Sequence, residues 1–211
     1  VAGVSGLGVI KDHTVIEKDF EETFKIKTII ISDAAIALYS TVLDKYQEGI
    51  VILSGTGSSV MGINKSQTRL IEGWGHKLTE SGSAFAIVRD FLTQAIQTYD
   101  ATDYVSPLCK KFLTHMEMDR IEEFKVFMYH SSKKEVARYA VFFAQQANLG
   151  DKEAIALFKK AGRDLATAVM NAYRLLKLSD KAVLGFRGGM INQSQIAKDE
   201  VLACLRENNI H

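Results

Sequence analysis

Cysteine is scarce. The chain of 211 residues has two, Cys109 and Cys204, and they stand far apart. Neither has a Cys or His neighbour at metal-ligand spacing, and His76, His115 and His130 are scattered. That argues against a structural zinc site and a disulfide framework, and fits a reducing, cytoplasmic compartment. Charge of one sign is lacking too. The 26 basic and 25 acidic side chains leave a formal +1, which gives no electrostatic footprint for nucleic acid or a membrane surface. No apolar run approaches the ~20 residues that span a bilayer. No basic region precedes an apolar stretch near Val1, so no signal peptide is read there. There are no repeats and no low-complexity segments. What remains is 47% hydrophobic and 24% charged, ordinary for a globular protein of one large domain or two small ones.

The stretch Gly49–Asn64 organises the rest. Ile50–Leu53 is short, apolar and rich in β-branched residues, and reads as a buried strand. Ser54-Gly55-Thr56-Gly57-Ser58 breaks it, and Ser59–Ile63 resumes strand character. The pattern predicts a β-hairpin. Two glycines permit positive φ and leave backbone N–H groups uncovered. Three hydroxyls, of Ser54, Thr56 and Ser58, stand around them. Such a turn suits an anion such as phosphate, and an ordinary hairpin turn has the same composition.

Before the hairpin, Val1–Gly8 reads as a strand end and a Gly-rich turn. Glu17–Phe24 reads as an amphipathic helix, Lys27–Ile31 as a buried strand and Ala34–Asp44 as a helix. Asp33 falls at the strand's carboxyl end, where open α/β sheets bind ligands. A helix cap worth ~1 kcal/mol is the other reading of Asp33. The composition shift near Glu48–Gly49 is the expected boundary. After the hairpin, Thr68–Ile71 reads as a third strand. The single tryptophan, Trp74, stands between Gly73 and Gly75, as a packed corner or as a wall of a site. A helix opens at Ser81-Gly82-Ser83 and runs to about Tyr99. Pro107 onward is helical, with Leu108, Phe112, Ile121, Phe124 and Val126 expected in the core. Ser131–Ala147 reads as one helix, and Asp151 caps another that reaches about Leu176. Gly162 lies on that helix's apolar stripe, through close approach of a helix or ligand or through mere tolerance. Ala182–Phe186 reads as the last strand, Arg187-Gly188-Gly189-Met190 as a second Gly turn, and Ile191–Arg206 as one helix.

Four of these features stand in a telling order. They are Ser32-Asp33-Ala34-Ala35, then Ser54-Gly55-Thr56-Gly57-Ser58, then Gly73-Trp74-Gly75-His76 with Gly82-Ser83-Ala84, then Gly188-Gly189. This order resembles the N-acetylglucosamine kinases of the BadF/BcrA-type ATPase family, in the superfamily of sugar kinases, actin and heat-shock chaperone ATPases. The resemblance runs from Val1 to about Ile196. It implies an α/β, ribonuclease H-like, actin-type ATPase fold, with ATP and sugar meeting between two lobes. Residues 1–47 would be the end of the N-terminal lobe, and residues 48–211 the C-terminal nucleotide-binding lobe with a helical insertion. The family's Asp-Gly-Gly-Gly-Thr phosphate hairpin and its closing strand and helix have no counterpart here. The chain therefore reads as cut at both ends, and by itself is expected to be inactive.

The activity that the resemblance implies is phosphorylation of an amino sugar, N-acetylglucosamine to its 6-phosphate, with ATP and Mg2+ as cofactors. An ATPase, or a nucleotide- or sugar-sensing member without kinase activity, is the alternative. Asp33 matches the family's catalytic aspartate, which meets the sugar and accepts its hydroxyl proton. Gly55, Thr56, Gly57 and Ser58 match the second phosphate hairpin, and Gly188 and Gly189 the adenosine-side turn. Trp74, Gly75 and Glu80 fall in the loop that touches the amino sugar in relatives. Glu80 stands where the family pattern has Asp, one methylene shorter, so selectivity among amino sugars is expected to shift. An iron–sulfur activator of the same family would carry a cysteine beside Gly55-Thr56-Gly57, and none stands there. The implied partners are ATP, a small amino sugar and a second copy in a homodimer, with no nucleic acid and no membrane.

Overall fold

The computed structural model describes residues 1–4, 6, 7, 10, 12–42 and 47–210. Strands β1 (Ala2–Val4) and β2 (Ile30–Ser32) pair in parallel, Gly3 opposite Ile31. Helix α1 (Thr14–Phe24) makes the crossover between them. It starts ahead of the expected Glu17 because the Asp12 carboxylate accepts both the N–H (2.9 Å) and the hydroxyl (2.6 Å) of Thr14. The strand expected over Lys27–Ile31 is shorter and shifted. Thr28 N–H donates to the Glu21 carboxylate of α1, 3.0 Å away, rather than to a neighbouring strand. Helix α2 (Asp33–Val42) follows directly. Residues 43 and 44 of the helix expected to reach Asp44 lie outside the described residues, as does Gly8 of the first turn.

The second sheet holds β3 (Glu48–Ser54), β4 (Ser58–Asn64), β5 (Gln67–Ile71) and β6 (Val183–Arg187), in the order β5-β4-β3-β6. The first three are antiparallel neighbours, and β6 joins β3 in parallel with Leu53 opposite Arg187. A three-stranded meander extended by one parallel strand is the ribonuclease H-like arrangement. β3 is apolar from Ile50 to Leu53 because both of its faces are covered there. Ile50 and Ile52 join the main helical core with Val60. Val51 lies on the other face with Ile63 and with Leu38 and Val42 of α2.

That second face sets the direction of α2. Val42 packs over Gly49 at the start of β3, and Thr41 over Gly185 of β6. Ala37 and Leu38 lie further along, with Val51 and Leu53. α2 therefore runs antiparallel to β3, and its first residue, Asp33, lies toward the end of the sheet where β3 stops at Ser54.

The helical part comprises α3 (Ala84–Thr102), α4 (Pro107–His115), α5 (Glu123–His130), α6 (Lys133–Ala137), α7 (Ala140–Asn148), α8 (Lys152–Leu176), α9 (Gly189–Gln193) and α10 (Gln195–Glu207). Phe91, Phe112, Phe124 and Phe143 are fully buried within it. The Phe112 ring centroid lies 5.5 Å from that of Phe91 and 4.9 Å from that of Phe143. Aromatic contacts of this kind are worth ~0.5–1.5 kcal/mol each beyond their buried area. They bind α3, α4 and α7 into one unit, on which α6 rests through buried Val136 and Ala137.

Three helix expectations need correction. The single helix over Ser131–Ala147 is two. Around Arg138 and Tyr139 the chain tightens into i→i+3 bonds, with Tyr139 N–H to Val136 O at 3.1 Å and Phe142 N–H to Tyr139 O at 3.0 Å. That turn brings the Tyr139 ring against Phe112 and Phe127. The helix expected over Ile191–Arg206 breaks at Ser194, whose hydroxyl accepts Ala197 N–H (3.2 Å) and starts α10 afresh. Val126 is 60% exposed rather than core. It lies two residues from buried Phe124, on the opposite side of α5. Gly162 reflects close approach: a Cβ there would stand 2.6 Å from the Ala197 carbonyl oxygen of α10. No helix among the described residues is long and apolar enough to cross a membrane.

Candidate active site

β3 and β4 meet in the turn Gly55-Thr56-Gly57, with Ser54 and Ser58 paired and buried at its base. Their hydroxyls do not surround a ligand space as expected. Ser54 Oγ donates to Gly82 O and Ser58 Oγ to Ser81 O, both at 2.7 Å. The start of α3 completes the fastening. Ala84 N–H donates to Gly55 O (2.9 Å) and Phe85 N–H to Thr56 O (3.3 Å). Ser83 caps the same helix by accepting Ala86 N–H at 3.0 Å.

This fastening has a directional consequence. A trans peptide holds its C=O and N–H on opposite sides. Gly55 O shares a peptide with Thr56 N–H, and Thr56 O shares one with Gly57 N–H. With both carbonyls held by α3, both N–H groups turn away from the helix. Neither has an acceptor among the described residues, and Thr56 is exposed. Two adjacent free N–H groups form a concave donor surface suited to an anion.

β6 runs parallel to β3, so their carboxyl ends coincide. Gly188 follows β6 with φ +107°, and any Cβ on it would overlap the Ser54 carbonyl oxygen. Only glycine fits both demands. Gly189 N lies 3.7 Å from where a Cβ on Gly55 would stand. The two Gly turns, distant in sequence, are therefore neighbours against the end of β3.

Asp33 enters from α2. Ser32, rather than Asp33, caps that helix: its hydroxyl accepts Ala35 N–H at 3.1 Å. A serine three residues before the bonded amide is the usual cap signal. Asp33 is exposed, within the first turn, and its carboxylate accepts Ala34 N–H at 2.8 Å.

The loop after β5 separates its expected site residues. Trp74 is 76% exposed, so it is no packed corner, whereas Glu80 is 8% exposed. Gly75 bridges Thr79, Leu78 N–H donates to Gly75 O at 2.9 Å, and His76 packs edge-on against Phe85 with centroids 5.0 Å apart. Glu80 turns under the hairpin, where a Cβ on Gly57 would stand 2.6 Å from its Oε2. Lys133 of α6 touches that oxygen as an ion pair. Sequence reasoning missed Lys133. Its one signal is a basic residue in the first turn of a helix, where anions are favoured. A capping box holds α6 there, with Ser132 N–H to Glu135 Oε2 at 2.7 Å and Glu135 N–H to Ser132 Oγ at 3.3 Å.

Comparison with known proteins agrees with this arrangement. The model of the BadF/BadG/BcrA/BcrD ATPase family matches residues 1–209. A curated N-acetylmuramic acid/N-acetylglucosamine kinase of Clostridium acetobutylicum is 28% identical over 211 residues, which is 98% of this chain and 68% of that protein. The solved structure of a candidate N-acetylglucosamine kinase from Porphyromonas gingivalis has a TM-score of 0.69 at 18% identity, over 98% of this chain and 69% of the other. One from Chromobacterium violaceum has a TM-score of 0.67 at 20% identity, over 96% and 74%. A ROK family glucokinase from Streptomyces griseus, solved with glucose and AMPPNP, has a TM-score of 0.55 at 17% identity, over 92% and 62%. The structural likenesses show the actin-type ATPase fold. The match over nearly the whole length shows more: the chain belongs to the BadF/BadG/BcrA/BcrD ATPase family.

Proposed function

We propose that this protein phosphorylates an N-acetylated amino sugar with ATP, N-acetylglucosamine at its 6-hydroxyl in the first instance. The observation that carries the reading is the outward pair of N–H groups at Thr56 and Gly57, beside Gly188-Gly189. In the turn Gly55-Thr56-Gly57-Ser58 the main-chain N–H groups of Thr56 and Gly57 hold the nucleotide phosphates, since the Gly55 N–H is bonded to Gly57 O and the Ser58 hydroxyl proton to Ser81 O. Gly188 and Gly189 let the adenosine side approach the backbone. Trp74, Gly75 and Glu80 serve the sugar. Residues 1–47 form the end of one lobe and residues 48–211 the other.

Asp33 is the base. Its carboxylate accepts the proton of the sugar hydroxyl as that oxygen attacks the γ-phosphorus, the bond from phosphorus to the ADP oxygen breaks, and ADP leaves. Ser32 supports this role by capping α2. Mg2+ bound to the nucleotide would supply a counter-ion that spreads the charge of the phosphates. The name of the Clostridium relative, which covers two N-acetylated sugars, supports the amino-sugar class.

The test is ADP release by the full-length protein with N-acetylglucosamine, N-acetylmuramic acid and glucose. Turnover with the N-acetylated sugars and little with glucose is expected. ATP binding without sugar-dependent turnover would replace the kinase with a sensor. Equal turnover of glucose would remove the amino-sugar assignment.

A further inference from the structure

We infer that Lys133 is a phosphate ligand of this site, a third donor beside the N–H groups of Thr56 and Gly57. This rests on the kinase reading and deepens it. The Lys133 ammonium lies against the turn itself, so close that a Cβ on Gly57 would overlap Nζ. Its side chain is 29% exposed, so it is neither sealed in nor adrift. Its contact with the Glu80 carboxylate is an ion pair to one oxygen, Oε2. An ammonium carries three donors, so this contact leaves two N–H groups open to another acceptor. Among the described residues Nζ has no other ion-pair partner.

Glu80 explains why a cation is required here. Its carboxylate is buried and lies against Gly57, the residue whose N–H faces outward. A phosphate arriving at that N–H meets a buried negative charge of its own sign. Two anions this close repel strongly where water is scarce. Lys133 touches the carboxylate and the turn together, and so neutralises one anion while donating to the other. The capping box of α6 and burial of Val136 and Ala137 hold the lysine stem in this place.

The experiment compares the full-length protein with its Lys133→Met, Lys133→Arg, Glu80→Gln and Lys133→Met/Glu80→Gln variants. Calorimetric titration with ATP, ADP and adenosine is read beside a thermal melt. Losing a charge-assisted donor should weaken ATP roughly 10- to 100-fold in Lys133→Met. ADP should weaken less and adenosine should be unchanged. Lys133→Arg should recover most of the ATP affinity. The double variant separates the two roles and removes the unpaired buried carboxylate that could unfold Lys133→Met. If Lys133 holds phosphate, the double variant stays weaker for ATP than Glu80→Gln alone. Equal ATP affinity in those two variants would reduce Lys133 to a counter-ion of Glu80 and overturn the inference. An unmutated protein that binds no adenine nucleotide would instead overturn the kinase reading, and this assignment with it.

Discussion

Gly188 rests directly on the backbone of Ser54, with no room for a side-chain atom between them. The contact ties the end of β3 to the entrance of α9. Gly188→Ala must accept both an overlap with the Ser54 carbonyl and a φ of +107°. A loss of about 2–4 kcal/mol and a fall in Tm of roughly 5–15 °C are expected. Gly189→Ala is the control, since its added Cβ meets nothing within 4 Å. Equal melts for the two variants would show that Ser54 can move aside.

Gly57 has the opposite surroundings. A Cβ there meets the far ends of Lys133 and Glu80, flexible groups that can shift. Gly57→Val should therefore fold, with a melt lowered by displacement of the buried Glu80 carboxylate, while its branched side chain obstructs the outward N–H groups. ATP affinity should fall at least about tenfold, on the scale of one charge-assisted hydrogen bond. Calorimetry showing unchanged ATP affinity in the folded variant would remove the phosphate role of this turn.

Asp33 and Ser32 divide two tasks that adjacent residues often confuse. Ser32→Ala should cost about 1 kcal/mol through the lost cap and leave the chemistry in place. Asp33→Asn should leave the melt nearly unchanged, yet lower kcat by ~10²–10⁴ if the carboxylate takes the sugar proton. The measurement is kcat over an amino-sugar panel beside two thermal melts. A retained kcat in Asp33→Asn would leave the proposed mechanism without its base.

Cys109 is buried, and burial first, then Glu153, pushes its thiol up to about 11 from the ordinary 9.0. Between these values the folded chain keeps a proton that the unfolded chain loses. Stability should therefore hold below about pH 9 and decline from there through about pH 11. Cys109→Ala should flatten that decline in a denaturant titration series. At pH 8, iodoacetamide should label Cys109 only after unfolding; rapid labelling of the native thiol would contradict its burial.

Sequence patterns exposed some of this molecule and hid the rest for physical reasons. β3 was legible because a strand covered on both faces is apolar at every position from Ile50 to Leu53. α8 was legible because its apolar stripe and its Asp151 cap are local signals. The break at Ser194 was hidden, since a serine within a helical pattern can equally face solvent. Gly188 and Gly57 could be marked as turns, but their partners, Ser54 in one case and Lys133 with Glu80 in the other, come together only on folding. The roles of Ser54 and Ser58 were misread for the same reason. Their hydroxyls follow the carbonyls of Ser81 and Gly82, and nothing near position 54 announces that.

The two bonds from α3 to the hairpin also act as a relay. Hydrogen bonds in series polarise one another, each strengthening the next. The helix start draws electron density through Gly55 O and Thr56 O, which leaves the N–H at the far side of each peptide a better donor. Any acceptor that meets Thr56 and Gly57 thus feels the positive end of a 19-residue helix through one intervening peptide layer. The helix contributes its field without surrendering its own first turn to solvent or ligand, and the hairpin in between decides where that field emerges.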